Sequence, residues 1–205
     1  MIRSSLIVSL GFCLSACSII PNPAPPNVTY RLSLSGEAVP LNEDAVVIRV
    51  DRPSAISVFN TPSIVISPDG RRLSTAAQAE WPENTPNMLQ EAMVDAFAMS
   101  PSIIGVLPES GTRTDTRIHL TIKNFEAQFD QGEDSAPLAI VRYTVTLANA
   151  TDRQLISTFE TKQTSRAREA RVSAIVEALD VSNSKAMREI VEWVESVNAE
   201  GLISN

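Results

Sequence analysis

Few side chains in this 205-residue sequence have the type and spacing to do chemistry. Two are cysteines, Cys13 and Cys17, both near the N-terminus. No cysteine follows Cys17, so the rest of the chain can form neither a disulfide nor a thiolate site. Histidine occurs once, at His119. That excludes a zinc site built from His and Cys, and any Ser-His-Asp triad would have to use this one ring. His119 alternates with Ile118 and Leu120, so it points away from the face they bury and reads as solvated rather than catalytic. There is no Gly-Lys-Ser/Thr phosphate loop and no nucleophile elbow; Gly70, Gly105, Gly111 and Gly132 stand singly. Glu91 and Asp95 are four residues apart on a predicted helix and read as a solvated face. Asp130, Glu133 and Asp134 cluster in a loop but lack the EF-hand spacing. Arg166, Arg168 and Arg171 form the one basic patch, at a predicted helix start. The expectation is no catalytic centre, no cofactor and no metal.

Cys17 is the exception. Met1 to Ser5 carry one positive charge, Arg3, and Leu6 to Cys13 form a brief apolar segment. This is the layout of a secretory signal. The segment is too short for the roughly 20 apolar residues a spanning helix needs. Leu14-Ser15-Ala16-Cys17 resembles the bacterial lipobox, a leucine, two small residues and a cysteine. The resemblance implies a diacylglyceryl thioether on Cys17, cleavage before it, and acylation of the new amino group. One acyl chain holds a protein marginally, at about 0.8 kcal/mol per buried CH₂, whereas two or more anchor it stably. Ser18, next in line, resembles the residue found in Gram-negative lipoproteins sorted to the outer membrane. Residues 18–27 read SIIPNPAPPN, a proline-rich tether. At about 3.1 Å per residue it could hold a domain roughly 30 Å from the membrane. The organisation expected is a signal peptide over 1–16, the lipidated cysteine and tether over 17–27, and one folded domain over 28–205.

The elements of that domain follow from periodicity. The chain is acidic, with net charge −7 and 43% hydrophobic residues. It can bury a core, and it lacks the clustered Lys and Arg that nucleic acid or anionic lipid surfaces require. Tyr30, Leu32 and Leu34 alternate as a strand, as do Val46, Ile48 and Val50 before Arg52-Pro53. Ile64 to Ile66, the turn Pro68-Asp69-Gly70, and Leu73 to Ala79 make a hairpin. Thr85 as cap and Pro86 at the first position start a helix, whose stripe is Met88, Leu89, Ala92, Met93, Ala96 and Phe97. Ile118, Leu120 and Ile122 share one phase and Phe125, Ala127 and Phe129 the other, the mark of a β-bulge. Val141 to Leu147 and Leu155 to Thr161 form a second hairpin. Val172 to Val197 is helical, with a stripe weak enough at Asp180 to Ser184 to kink or divide it. Trp81 and Trp193 are expected to pack the core or its margin. The fold class expected is α+β: a mostly antiparallel sheet of about six or seven strands with two main helices packed on one face.

The order of these pieces carries a resemblance. Val50-Asp51-Arg52-Pro53-Ser54-Ala55 is followed by Thr61-Pro62-Ser63-Ile64, then Ala79-Glu80-Trp81-Pro82 and Pro86-Asn87-Met88-Leu89-Gln90. Asn124-Phe125-Glu126-Ala127-Gln128-Phe129-Asp130 and Ala136-Pro137 come later. From Tyr30 to Trp193 the chain resembles the ABC-type transport auxiliary lipoproteins. Members often have tyrosine where Phe129 stands, so a hydroxyl is missing here. The resemblance implies a non-catalytic, periplasm-facing lipoprotein. Such proteins accompany a permease, an ATPase and an Mce-domain protein that move lipids or other apolar molecules across the envelope. The implied partner is the Mce-domain protein, docked or positioned by a chain anchored through Cys17, and a ring-shaped partner would suit a homo-oligomer. The alternative is a lipid-binding periplasmic carrier or chaperone, with an apolar cavity between sheet and helices.

Overall fold

The computed structural model describes residues 26–33 and 36–203. The signal segment, Cys13, Cys17, the tether up to residue 25, and Leu34 lie outside the described residues.

The spine of the molecule is a thirteen-residue strand, β7 (Thr116–Gln128). One of its edges is occupied throughout by β8 (Leu138–Asn149), antiparallel, and β8 is paired in turn by β9 (Leu155–Arg166), also antiparallel. The other edge takes three short strands in succession, all parallel to β7. These are β2 (Val46–Val50), β3 (Ser54–Ala55) and β4 (Ser63–Ser67). Beyond β2 lies β6 (Ile103–Val106), parallel; beyond β4 lies β5 (Ser74–Glu80), antiparallel. A two-residue strand, β1 (Val28–Thr29), closes that margin parallel to β5. Among the described residues the sheet therefore has nine strands and is mixed, not the mostly antiparallel sheet of six or seven that the sequence leads one to expect. The connection after β6, residues 107–115 with a single 3-10 turn at Pro108–Ser110, steps across β2. Val106 stands opposite Arg49 on one edge of β2, and Thr116 opposite Ile48 on the other. β6 and β7 thus flank β2 and run the same way.

Two helices cover one face. Helix α1 (Thr85–Phe97) lies against β2 and β6, and α2 (Val172–Ala199) against β8 and β9, with the two helices in contact. The expected bulge is present: the β7–β8 register shifts between Ile122 and Asn124. It brings Phe125 and Ala127 onto the buried face that Ile118, Leu120 and Ile122 occupy before it. The Pro68-Asp69-Gly70 turn joins β4 to β5. Asp69 accepts the backbone N–H groups of Arg72 and Arg71, which holds its pKa down to about 2.

Several expectations need correction. The first strand is Val28–Thr29 rather than Tyr30 to Leu34, although the Tyr30 N–H still donates to the Glu80 carbonyl at 2.8 Å. Asn84, not Thr85, precedes α1; the Thr85 hydroxyl donates instead to the Thr61 carbonyl. Helix α2 is continuous. Its stripe weakens because Ser182 and Asn183 face the sheet, where the buried Tyr143 hydroxyl donates to Asn183 Oδ1 at 2.8 Å. A polar pair replaces apolar contact at that turn without breaking the helix. Burial raises the Tyr143 pKa well above 10, so the phenol stays a donor.

Candidate interaction surfaces

The segments that carry the family resemblance meet in space. Arg52 donates through Nε to Asn87 Oδ1 at 2.6 Å and through Nη2 to Asn60 Oδ1 at 2.7 Å. Gln90 Nε2 donates to the Val50 carbonyl at 2.9 Å. These bonds fasten the start of α1 to the end of β2 and the turn beyond it. The buried Trp81 packs its ring against Phe125, centroids 5.9 Å apart and tilted. The tryptophan segment and the Phe-Glu-Ala strand are therefore two sides of one core contact. Phe129 is partly buried against the same core, an apolar role that needs no hydroxyl. The next residue, Asp130, takes both Arg166 Nη groups, at 2.9 and 2.7 Å. That pairing lowers the Asp130 pKa and raises that of Arg166. The motif residues act as a structural joint, with Arg52 and Asn87 the members whose contact the sequence did not announce.

The face of the sheet away from the helices carries the titratable groups. Asp51 accepts Arg49 Nε at 3.0 Å and pairs with Arg117 on the neighbouring strand. His119 sits one step along, its Nε2 3.1 Å from Ser54 Oγ. It lies on the face predicted but is half-buried rather than freely solvated. Burial lowers its pKa below 6.5, with Arg117 acting the same way and Asp51 opposing. Ser54, His119 and Asp51 are the residue types of a triad, but their connections differ. His119 Nδ1 has no partner among the described residues, and Asp51 is held by two guanidinium groups. In a working triad the carboxylate fixes the ring through that nitrogen. Sequence reading missed Arg49 and Arg117; their signal was their place between buried β-branched neighbours in two strands. Glu126, also on this face, is buried with Oε2 unpartnered, and Asn124 Nδ2 reaches only Oε1, at 3.3 Å. Burial raises its pKa against the pull of that bond.

The other candidates stay apart. Glu91 and Asp95 are exposed on α1, as expected of a solvated face. Arg166 ends β9 rather than starting a helix, and Arg171 pairs with Glu169. Among the described residues no group of three or more His, Cys, Asp or Glu could hold a metal. Trp193 stacks on Phe159 at the margin of the core, centroids 5.4 Å apart. Between sheet and helices the space is filled: Leu120, Tyr143, Val145, Leu179, Met187 and Ile190 are fully buried. Clefts occur at the surface instead. One of about 300 Å³ lies between α1 and α2, lined by Met99, Arg188, Val191, Glu192 and Glu195. Another, of about 210 Å³ and mostly apolar, lies between α1, β6 and Val39 and Leu41. Ligand sites commonly span about 300–1,000 Å³, so these are small.

A crystal structure of a Xanthomonas campestris protein of family DUF330 superposes with a TM-score of 0.74 at 19% identity, covering 85% of this chain and 98% of that one. An uncharacterized protein of known structure matches with a TM-score of 0.65 at 12% identity, over 83% of this chain and 99% of that one. At such identities the likeness establishes the fold alone. No curated protein sequence matches significantly. Residues 30–191 match the family described as "ABC-type transport auxiliary lipoprotein component". That span begins just after β1, ends within α2, and takes in the joint of Arg52, Trp81, Asn87 and Phe125. The chain belongs to the ABC-type transport auxiliary lipoprotein family.

Proposed function

We propose that this chain is a non-catalytic, periplasm-facing subunit of an ABC-type envelope lipid transport system. It is anchored in the outer membrane through acylated Cys17 and docks or positions an Mce-domain component. The family match over residues 30–191 carries this reading. Two further observations support it. The only histidine lacks the carboxylate bond a triad needs, and the family's motif residues are spent on holding the fold together. The filled space between sheet and helices favours docking over carriage of lipid in a cavity there. Tethering contributes by raising the effective concentration of the domain near its partner, without any added contact.

The test is purification of the full lipoprotein in mild detergent from its own cells, followed by mass spectrometry of bound protein and lipid. An Mce-domain protein should co-purify, with membrane lipid no more abundant than in a control lipoprotein. One lipid per chain with no Mce-domain protein would favour the carrier instead.

A further inference from the structure

The two faces of the molecule differ in charge. The helix layer is acidic: α1 has two acids and no base, and α2 has five acids and two bases. The open face of the sheet is the reverse. Residues opposite one another in the β7–β8 and β8–β9 ladders share a face, and the open rows hold Arg117, Arg142, Lys162 and Arg166. Arg49 on β2 adds a fifth cation. Lys123, the extra residue of the bulge, adds a sixth; it is exposed, while Ile122 and Phe125 fill the helix side of β7 around it. Against these six stand three acids, Asp51, Asp130 and Glu160, since Glu126 is buried. The surplus is three positive charges, in a chain whose net charge is −7.

Pairing within the chain does not use up that surplus. Arg166 is matched by Asp130 and Arg142 by Glu160, while Arg49 and Arg117 share Asp51. Lys123 and Lys162 have no acidic partner among the described residues. They flank Arg142 in one line across the sheet. Arg142 stands opposite Lys162 on one side and opposite Asn124, next to Lys123, on the other. Like charges set against one another in neighbouring strands are unfavourable. An antiparallel sheet can leave one face to water, but solvation asks only for polar groups, not for cations gathered against the sign of the chain. The face is also broad enough to be bound. Twelve residues per strand at about 3.4 Å, over three strands about 4.8 Å apart, give about 600 Å². The short strands along the other edge of β7 bring it to about 800 Å², one partner's share of a standard interface. The two clefts described above open between or beside the helices, so this face offers breadth and charge rather than a pocket.

Resting on the function proposed above, we infer that the open face of the sheet, centred on the Lys123–Arg142–Lys162 row, docks an acidic surface of the Mce-domain component. The test is capture of that protein by the full lipoprotein, tagged and purified in mild detergent from its own cells, with the partner identified and quantified by mass spectrometry. Lys123→Glu with Lys162→Glu should lower capture about tenfold, because reversed charges slow encounter and loosen the contact. Lys123→Arg with Lys162→Arg keeps the charge and should capture as wild type does. Glu91→Lys with Asp95→Lys, on the helix side, should leave capture unchanged. Raising salt from about 0.05 M to about 0.5 M should weaken wild-type capture, because screening shortens the reach of exposed charges. The salt series reads the wild-type protein, so it holds whether or not a variant folds. Undiminished capture by the Glu variant would overturn this docking face and leave the proposed function standing. So would equal losses in the Glu and Arg variants, a like loss in the helix-side variant, or wild-type capture indifferent to salt. Absence of wild-type capture would overturn the proposed function itself, and the docking face with it.

Discussion

At the residue scale, Glu126 has the least favourable surroundings of the described carboxyl groups. It lies opposite Ile140 on the open face, buried, with one oxygen unbonded. Asp130, four residues on, has its charge matched by both Arg166 nitrogens and titrates lower than usual; Glu126 titrates higher because burial opposes its charge. The sign for stability follows from proton counting. With its pKa raised on folding, the native state holds the proton over a range where the unfolded chain has lost it. Stability therefore falls as pH rises through the folded pKa, and the penalty is absent below the unfolded one. Glu126→Gln keeps the shape and removes the charge. The variant should unfold at higher urea than wild type at pH 7, and the gap should close below about pH 4, where the unfolded carboxyl is protonated. A gap that ignores pH, or a less stable variant at pH 7, would contradict this account.

At the scale of elements, the seat of α1 depends on one glycine. A Cβ on Gly105 would lie 2.9 Å from Phe97 Cδ2 and 3.3 Å from both Phe97 Cβ and the Val94 Cα. Phe97 is fully buried and Val94 Cα is backbone, so neither can yield without moving the helix. Gly105→Ala should destabilise the fold by about 1–3 kcal/mol, the usual cost of overpacking, read from chemical unfolding; an unchanged midpoint would mean that α1 is free to shift. The same strand shows why the sequence was only partly legible. Periodicity exposes elements that bury one face over many residues, so β2, β8, α1, α2 and even the bulge at Ile122 could be read from it. β6 is four residues around a glycine, and β3 is two; neither completes an alternation. Strand direction was hidden for a different reason. Nothing local says that the connection after β6 crosses β2 before β7 begins. The candidate site was legible where composition decides, as with the lone histidine. It was not where cross-strand register decides, as with Asp51 between Arg49 and Arg117.

At the scale of the whole molecule, the proposed function makes attachment and recognition separable, with Cys17 the point at which they part. No helix among the described residues is long and apolar enough to cross a membrane. Cleavage before Cys17, as proposed, would remove Arg3 and leave 16 basic residues against 24 acidic ones, since residues 1–16 contain no acid. An acidic body is not drawn to anionic lipid headgroups. Membrane retention in this reading then rests on the acyl chains alone, each buried CH₂ adding about 0.8 kcal/mol. Cys17→Ala should yield an unprocessed or soluble periplasmic protein, and unchanged membrane fractionation would refute lipidation at this residue. The tether adds a second consequence. In the proposed reading it acts by raising the concentration of the domain near a membrane-held partner, an effect that needs no added contact. Capture of the Mce-domain protein in detergent solution should therefore survive Cys17→Ala, while the variant fails to replace wild type in cells. Loss of capture in solution would mean that the lipidated N-terminus is part of the docking surface and not merely its leash.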